Sequence, residues 1–169
     1  MKRKGQEKVC ISLCLFLLIV FSVMGCAQSG GSGFLKKEFL EYENIAVLPF
    51  EGDDTGKVAK AFAWNFHERF PQISILGGRQ FLDNPPEEKL NFDQLDDAMR
   101  LKIGRRVGAQ ALITGMIYSP SILSWYLQVK IIDTETGQVL GRSMVEIDSL
   151  FATDIEKAAQ LAVEKLSWW

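Results

Sequence analysis

The chain has 169 residues and a formal net charge of −2, from 19 lysines and arginines against 21 aspartates and glutamates. Its first 25 residues hold four of the basic residues and one of the acidic residues, so the remaining 144 carry 15 against 20, a net charge of −5. That length fits one ordinary domain and not two. The acidic balance argues against nucleic acid, nucleotide or an anionic membrane surface as a general partner.

The first 26 residues have the three zones of a leader that directs export. A basic stretch is followed by an apolar run from Val9 to Val23, and then by Gly25 and Cys26. This order is typical of a secretory signal peptide. The alternative is a transmembrane helix, but the run is shorter than the ~20 residues that a bilayer core requires, and no basic flank follows it.

The end of this leader, Val23-Met24-Gly25-Cys26, resembles a bacterial lipobox. The resemblance implies cleavage after Gly25, a diacylglycerol thioether on Cys26 and acylation of the new amino terminus. Ala27 follows, where an aspartate would signal retention in the inner membrane. We therefore expect attachment to the periplasmic face of the outer membrane, with the covalent lipid and no other cofactor.

The cysteines agree with this interpretation. By that resemblance Cys10 and Cys14 lie in the segment that cleavage would remove, and Cys26 would be acylated. The mature chain then has no thiol for a disulfide, a metal site or a nucleophile. We predict three segments: a leader over 1–25, the lipidated cysteine with a flexible tether over 26–43, and a periplasmic domain over 44–169.

After the tether the pattern alternates between strands and helices. Residues 27–33 are too rich in glycine to fold, and 34–42 could form a helical turn or an extended lead-in. Apolar residues four apart from Val58 to Phe70 predict a helix, and Gly108 and Gly137 mark a helix end and a hairpin turn. The predicted strands are 44–50, 73–76, 111–118, 124–133 and 138–147, and the predicted helices are 56–70, 93–107 and 154–166. We expect one α/β domain, a mixed sheet of about five strands covered by about three helices.

Three segments carry a resemblance to known proteins. They are IAVLPF at 45–50, IGRRVGAQALITG at 103–115 and VKIIDTETGQVL at 129–140. Together they resemble the α/β domain of envelope lipoproteins of the CsgG type, of LpoB and FlgO, and of the amino-terminal domain of TolB. The resemblance implies a protein-binding role without catalysis. CsgG-type pores carry two extra hairpins of ~9–11 residues per strand, and no connection here has room for them.

One loop imitates a phosphate-binding motif. Gly52 to Val58 ends in Gly-Lys between a strand and a helix, but only three residues separate its glycines and Val58 replaces the hydroxyl that would hold Mg²⁺. We interpret it as a helix start capped by Asp54 or Thr55. A weak Ca²⁺ site from Glu51, Asp53 and Asp54 is the alternative, without the oxygen spacing of known calcium loops.

Catalytic residues are scarce in this sequence. His67 is the only histidine, and we place it on a solvated helix edge. The carboxylate pairs Asp53/Asp54, Glu87/Glu88 and Asp96/Asp97 are neighbours in sequence and do not converge as an acid–base pair would. We therefore predict no enzyme activity, no metal and no catalytic residue.

Two groups are candidate partner contacts. Lys102, Arg105 and Arg106 form a basic cluster that is either a solvated helix face or a contact for an acidic partner. Trp168 and Trp169 either pack back on the domain or anchor a partner or the lipid interface.

The sequence favours a lipid-anchored binding or assembly module for an envelope protein or for further copies of itself. The first alternative is a homo-oligomeric subunit associated with secretion or a pore. The second is a carboxylate-based hydrolase, which would need two converging carboxylates with raised pKa values.

Overall fold

The computed structural model describes residues 30–76, 96–122, 124–148 and 155–169. These residues form six strands, three α-helices and one short 3-10 helix. In chain order they are β1 Gly31–Leu35, the 3-10 helix Lys37–Glu41, β2 Asn44–Val47, α1 Lys57–Arg69, β3 Ser74–Leu76, α2 Asp97–Arg106, β4 Ala111–Ser121, β5 Ser124–Asp133, β6 Val139–Asp148 and α3 Ile155–Glu164.

All six strands belong to one mixed sheet with the order β1-β6-β5-β4-β2-β3. Each adjacent pair among β1, β6, β5 and β4 is antiparallel. Strand β2 is parallel to both of its neighbours, β4 and β3. Short turns join β4 to β5 and β5 to β6, and a helix joins β2 to β3, as the two kinds of pairing allow, whereas β1 reaches β6 from the other end of the chain. The predicted α/β domain and the predicted order of its elements are confirmed.

Helices cover both faces of the sheet because β2 and β4 are apolar on both sides. Ile45 and Ile113 point into the larger core with α1 and α3, while Ala46 and Leu112 point to the opposite face. There they meet Ile103 of α2 and its neighbours. Successive residues of a strand face opposite sides, so the continuous apolar runs in the sequence are those of strands buried on both faces.

The helices α1 and α3 lie side by side and point in the same direction. Phe62 and Phe66 of α1 are fully buried, as are Ala159 and Ala162 of α3. At their C-terminal ends Arg69 donates to the carbonyl of Val163 and, at 2.7 Å, to that of Leu166. An arginine is well placed there because the final carbonyls of a helix lack partners and carry partial negative charge.

Strand β1 lies in the stretch predicted as tether and lead-in. Gly31 to Leu35 pair with β6, and Leu35 is fully buried. Residues before 44 therefore belong to the sheet, which has six strands within the described part of the chain. Gly33 explains the difference, because a Cβ there would lie 2.6 Å from the carbonyl oxygen of Lys165 and 2.8 Å from that of Arg142. The glycine that suggested flexibility lets the strand fit against neighbouring backbone.

Three local predictions need correction or confirmation. Asp53 is the main cap of α1, since its Oδ2 accepts from the N–H groups of Val58 and Ala59 at 2.9 and 3.0 Å, while Thr55, one of the two predicted caps, accepts from the N–H of Lys57 at 3.3 Å. Met99 lies four residues before Ile103, at the spacing of a buried helix face, but is 52% exposed. The predicted turns at Gly108 and Gly137 are confirmed, with φ of 75° and 74°.

Candidate functional site

An open groove runs between the exposed sides of α1 and α3. Trp64 lies in it with 64% of its surface exposed, which is unusual for the largest side chain. The volume of the groove is about 890 Å³. Its polar and aromatic lining comes from Lys57, Lys60, Trp64, Asn65, Lys157 and Gln160. We call this feature the α1–α3 groove.

Helical spacing places these side chains together. Lys57, Lys60 and Trp64 follow at intervals of three and four on α1, opposite the stripe that enters the core. Lys157 and Gln160 are three apart on α3, and the lateral packing of the two helices completes the groove. The groove therefore combines an exposed indole with three lysine side chains along its lining.

The basic cluster predicted on α2 lies on the other face of the sheet. Lys102, Arg105 and Arg106 are all exposed. Arg105 has a structural contact, because its Nε donates to the carbonyl of Thr134 at 2.7 Å and ties α2 to the β5–β6 turn. The structure does not bring this cluster together with the α1–α3 groove.

The two terminal tryptophans lie beside β1. Trp168 is 43% exposed and meets Phe70 edge-on at 6.0 Å between ring centroids. Trp169 is 84% exposed, yet its N–H donates to the carbonyl of Leu35 at 3.0 Å. The backbone of this segment therefore packs on the domain, while the indole of Trp169 faces solvent; that it anchors a partner or the lipid interface stays a prediction.

The loop that imitates a phosphate-binding motif has an acidic group at the helix start. The Asp53 carboxylate accepts from the first free N–H groups of α1, where a phosphate would have to bind. Thr55 donates to Asp53 and accepts weakly from the N–H of Lys57. The loop is thus a self-capped helix start.

The strongest perturbation of titratable groups is at Tyr42 and Asp133. The Tyr42 hydroxyl donates to Oδ2 of Asp133 at 2.6 Å, and partial burial, together with this carboxylate, raises the pKa of Tyr42 well above 10.0. Burial alone would raise the pKa of Asp133, but hydrogen bonds from Tyr42, Thr136 and Glu135 outweigh it and hold that pKa below 3.8. A general acid requires a raised pKa, which Asp133 does not have. The hydrogen bond between Tyr42 and Asp133 instead fastens the hairpin turn to the chain before β2.

The remaining predicted positions are dispersed. His67 is exposed on α1, and Asp96 caps α2 by accepting from the N–H of Met99 at 2.7 Å. Cys26, Glu87 and Glu88 lie outside the described residues. Within the part of the chain that the structure describes, no group of three histidine, cysteine or acidic residues could hold a metal ion. No helix there is long and apolar enough to span a bilayer.

Trp64 was not singled out from the sequence, although a signal was present. It falls between Phe62 and Phe66, off the stripe at spacing four, on the polar side of α1. A large aromatic residue on a polar helix face indicates a contact surface. The sequence could not predict the other side of the groove, because Lys157 and Gln160 lie about a hundred residues further along the chain.

No protein-family model matches the sequence, and no curated protein matches it. Solved structures do match the fold. The PelC dodecamer from Paraburkholderia phytofirmans has a TM-score of 0.53 at 10% identity, covering 82% of this chain and 94% of that one. TolB from Acinetobacter baumannii has a TM-score of 0.48 at 14% identity, covering 73% of this chain and 27% of that chain.

A third similar structure is the C-terminal domain of LpoB from Salmonella enterica, at a TM-score of 0.44 and 16% identity over 63% of this chain and 83% of that one. Sequence identities this low indicate similarity of fold and not of function. At that level the fold that the resemblance implied is confirmed: the chain has an α/β fold similar to that of the PelC structure.

Proposed function

We propose that this chain is a lipid-anchored protein on the periplasmic face of the outer membrane that binds an envelope partner without catalysis. The observation that carries the binding role is the exposed indole of Trp64 inside the α1–α3 groove. Tryptophan is enriched among the few residues that dominate interface energies, above all where a pocket surrounds it.

The anchor in this proposal is Cys26, with a leader over 1–25 and a tether from Cys26 to Gly30. The tether is shorter than the sequence indicated, since β1 begins at Gly31. The fold shared with envelope lipoproteins supports the compartment.

The groove suits a partner that presents an apolar side chain, which would cover the exposed indole of Trp64. Lys57, which also lines the groove, would meet an acidic group on the same partner.

The test is site-specific photocrosslinking in intact cells, with a photoreactive residue at Lys60 and a matched control at His67. Both positions are exposed on α1, but His67 does not line the groove. We expect a specific adduct from position 60 alone. Trp64→Ala should then weaken binding of the purified partner at least tenfold, as truncation of a dominant contact does, with folding unchanged. Equal adducts from both positions, or unchanged binding by Trp64→Ala, would refute the groove.

A second candidate function is assembly with copies of the same chain. It is favoured by one finding, that the similar PelC structure is a dodecamer. Light scattering of the detergent-purified chain would report a defined oligomer if this candidate holds, and a monomer if it does not. The exposed residues Lys102, Arg105, Arg106, Trp168 and Trp169 are the candidate contacts for such an assembly or for the partner.

A further inference from the structure

The hairpin of β4 and β5 ends in a turn that carries apolar side chains into solvent. Ile122 is 94% exposed and Trp125 is 43% exposed. The paired register of β4 with β2 ends at Ile113, while β4 continues to Ser121, which pairs with Ser124. The end of the hairpin therefore projects past its parallel neighbour. We call Ser121, Ile122, Ser124 and Trp125 the hairpin tip.

The four residues of the hairpin tip carry no charge, and the acidic residue next to them in the sheet is Asp148, the β6 partner of Ser124. The sequence contains no aspartate, glutamate, lysine, arginine or histidine between Arg106 and Lys130. The turn also satisfies part of its own backbone, because the Ser119 hydroxyl lies within hydrogen-bond reach of the carbonyls of Ser121 and Ser124. A surface of this kind can leave water at low cost, and an indole at its edge favours the boundary between lipid and water.

The chain enters the sheet at the same end as the hairpin tip. The Glu146 N–H donates to the carbonyl of Gly30 at 3.0 Å, and Ser124 is paired with Asp148, two residues further along β6. Two residues of strand are about 7 Å, and two strand spacings are about 10 Å. The hairpin tip thus lies close to Gly30 and projects beyond it.

Only a short connection separates Gly30 from the proposed lipid anchor. The four residues from Cys26 to Ser29 can span at most about 14 Å even when fully extended. A lipidated Cys26 would therefore hold this end of the sheet against the membrane, with the hairpin tip directed at the bilayer.

We propose that the hairpin tip inserts Ile122 and Trp125 into the headgroup region of the bilayer that holds Cys26. The inference rests on the proposed lipid anchor. One flexible attachment leaves a domain free to tumble, whereas a second contact two strands away fixes which side faces the membrane. The α1–α3 groove is then held at a constant orientation to its surroundings.

The experiment uses the full chain, processed in cells, with a single introduced cysteine that carries an environment-sensitive fluorophore. Ile122→Cys reports on the tip, and Ser121→Cys does so with Ile122 in place. Glu135→Cys is the matched control, because it is exposed in the turn at the other end of β5, about 30 Å away. The labelled proteins are reconstituted into phosphatidylethanolamine–phosphatidylglycerol vesicles that contain a lipid with a shallow spin-label quencher.

We expect a shift of the emission to shorter wavelength and loss of fluorescence at positions 121 and 122, and neither at position 135. The mass of the N-terminal peptide, measured on the same samples, separates two failures. Acylated protein without quenching at the tip refutes the insertion and leaves the anchor standing; unacylated protein refutes both. A wavelength shift without lipid quenching would also overturn the inference, since a protein surface would then cover the tip.

Discussion

The glycines at the start of the fold provide a direct test of whether residues 31–33 are a strand or a tether. A Cβ at Gly33 would lie 2.6 Å from the carbonyl oxygen of Lys165, and one at Gly31 would lie 3.0 Å from that of Met144. At Gly30 the nearest atom, Oε2 of Glu146, is at an ordinary 3.5 Å. All three positions lie within four residues and exchange glycine for the same alanine, so they form a matched series.

The expected cost follows from these distances. Crowding in a packed site costs about 1–3 kcal/mol, and Gly33 meets two backbone oxygens that cannot move aside as a side chain can. Alanine also lowers the conformational entropy of the unfolded chain, which offsets about 0.4–1 kcal/mol of this cost. Gly33→Ala should therefore lower the free energy of unfolding by about 1–2 kcal/mol. Gly30→Ala should stay within about 0.5 kcal/mol, and Gly31→Ala should fall between them.

Urea unfolding of the mature chain, followed by circular dichroism, measures these differences from the midpoint at constant slope. Equal, near-zero effects at all three glycines would refute the reasoning, because a tether in solvent has room for a Cβ at each position. A loss at Gly30 as large as that at Gly33 would contradict it too, by showing that the close contact is not the cause.

Two further changes test the local contacts. Tyr42→Phe removes the hydroxyl that donates to Asp133 and should cost about 1 kcal/mol at neutral pH. In the wild type the lowered pKa of Asp133 gives stability that is lost as pH falls below 3.8, and the raised pKa of Tyr42 gives stability that is lost as pH rises above 10.0. Unfolding titrations should show that Tyr42→Phe reduces both the loss of stability at acid pH and the loss at alkaline pH, part of which remains because the pKa of Tyr126 is also raised. Identical pH profiles would contradict this assignment. Asp53→Ala should lower the melting temperature through a loss of about 1 kcal/mol in the free energy of unfolding, while Asp54→Ala should not. A larger loss from Asp54→Ala than from Asp53→Ala would show that Asp54 is the cap.

The sequence predicted elements whose signal is local. Val58, Phe62 and Phe66 of α1 repeat at helical spacing, and each is almost completely buried. Gly108 follows the end of a helix and Gly137 lies in a hairpin turn, and both have the positive φ that glycine adopts at little cost. In each case a few adjacent residues carry the whole physical cause.

The predictions that failed depend on contacts between distant residues. Gly33 suggested flexibility in the sequence, and only the carbonyls of Lys165 and Arg142, more than a hundred residues later, turn it into a strand position. Met99 has the spacing of a core residue, but α2 covers only the smaller of the two cores. The α1–α3 groove likewise needs two helices that the sequence keeps apart.

The pairing around Leu35 has a consequence for the order in which the chain can fold. Its N–H donates to the carbonyl of Ser167 at 2.7 Å, and its carbonyl accepts from the N–H of Trp169 at 3.0 Å. These bonds close a loop of more than 130 residues, and contacts of that separation form late. A chain synthesised from its N-terminus presents β1 first, but β1 pairs with β6 only after residues 141–145 have been made. The N–H and carbonyl of Leu35 find their partners later still, when residues 167–169 follow, so this edge of the sheet is the last to be completed.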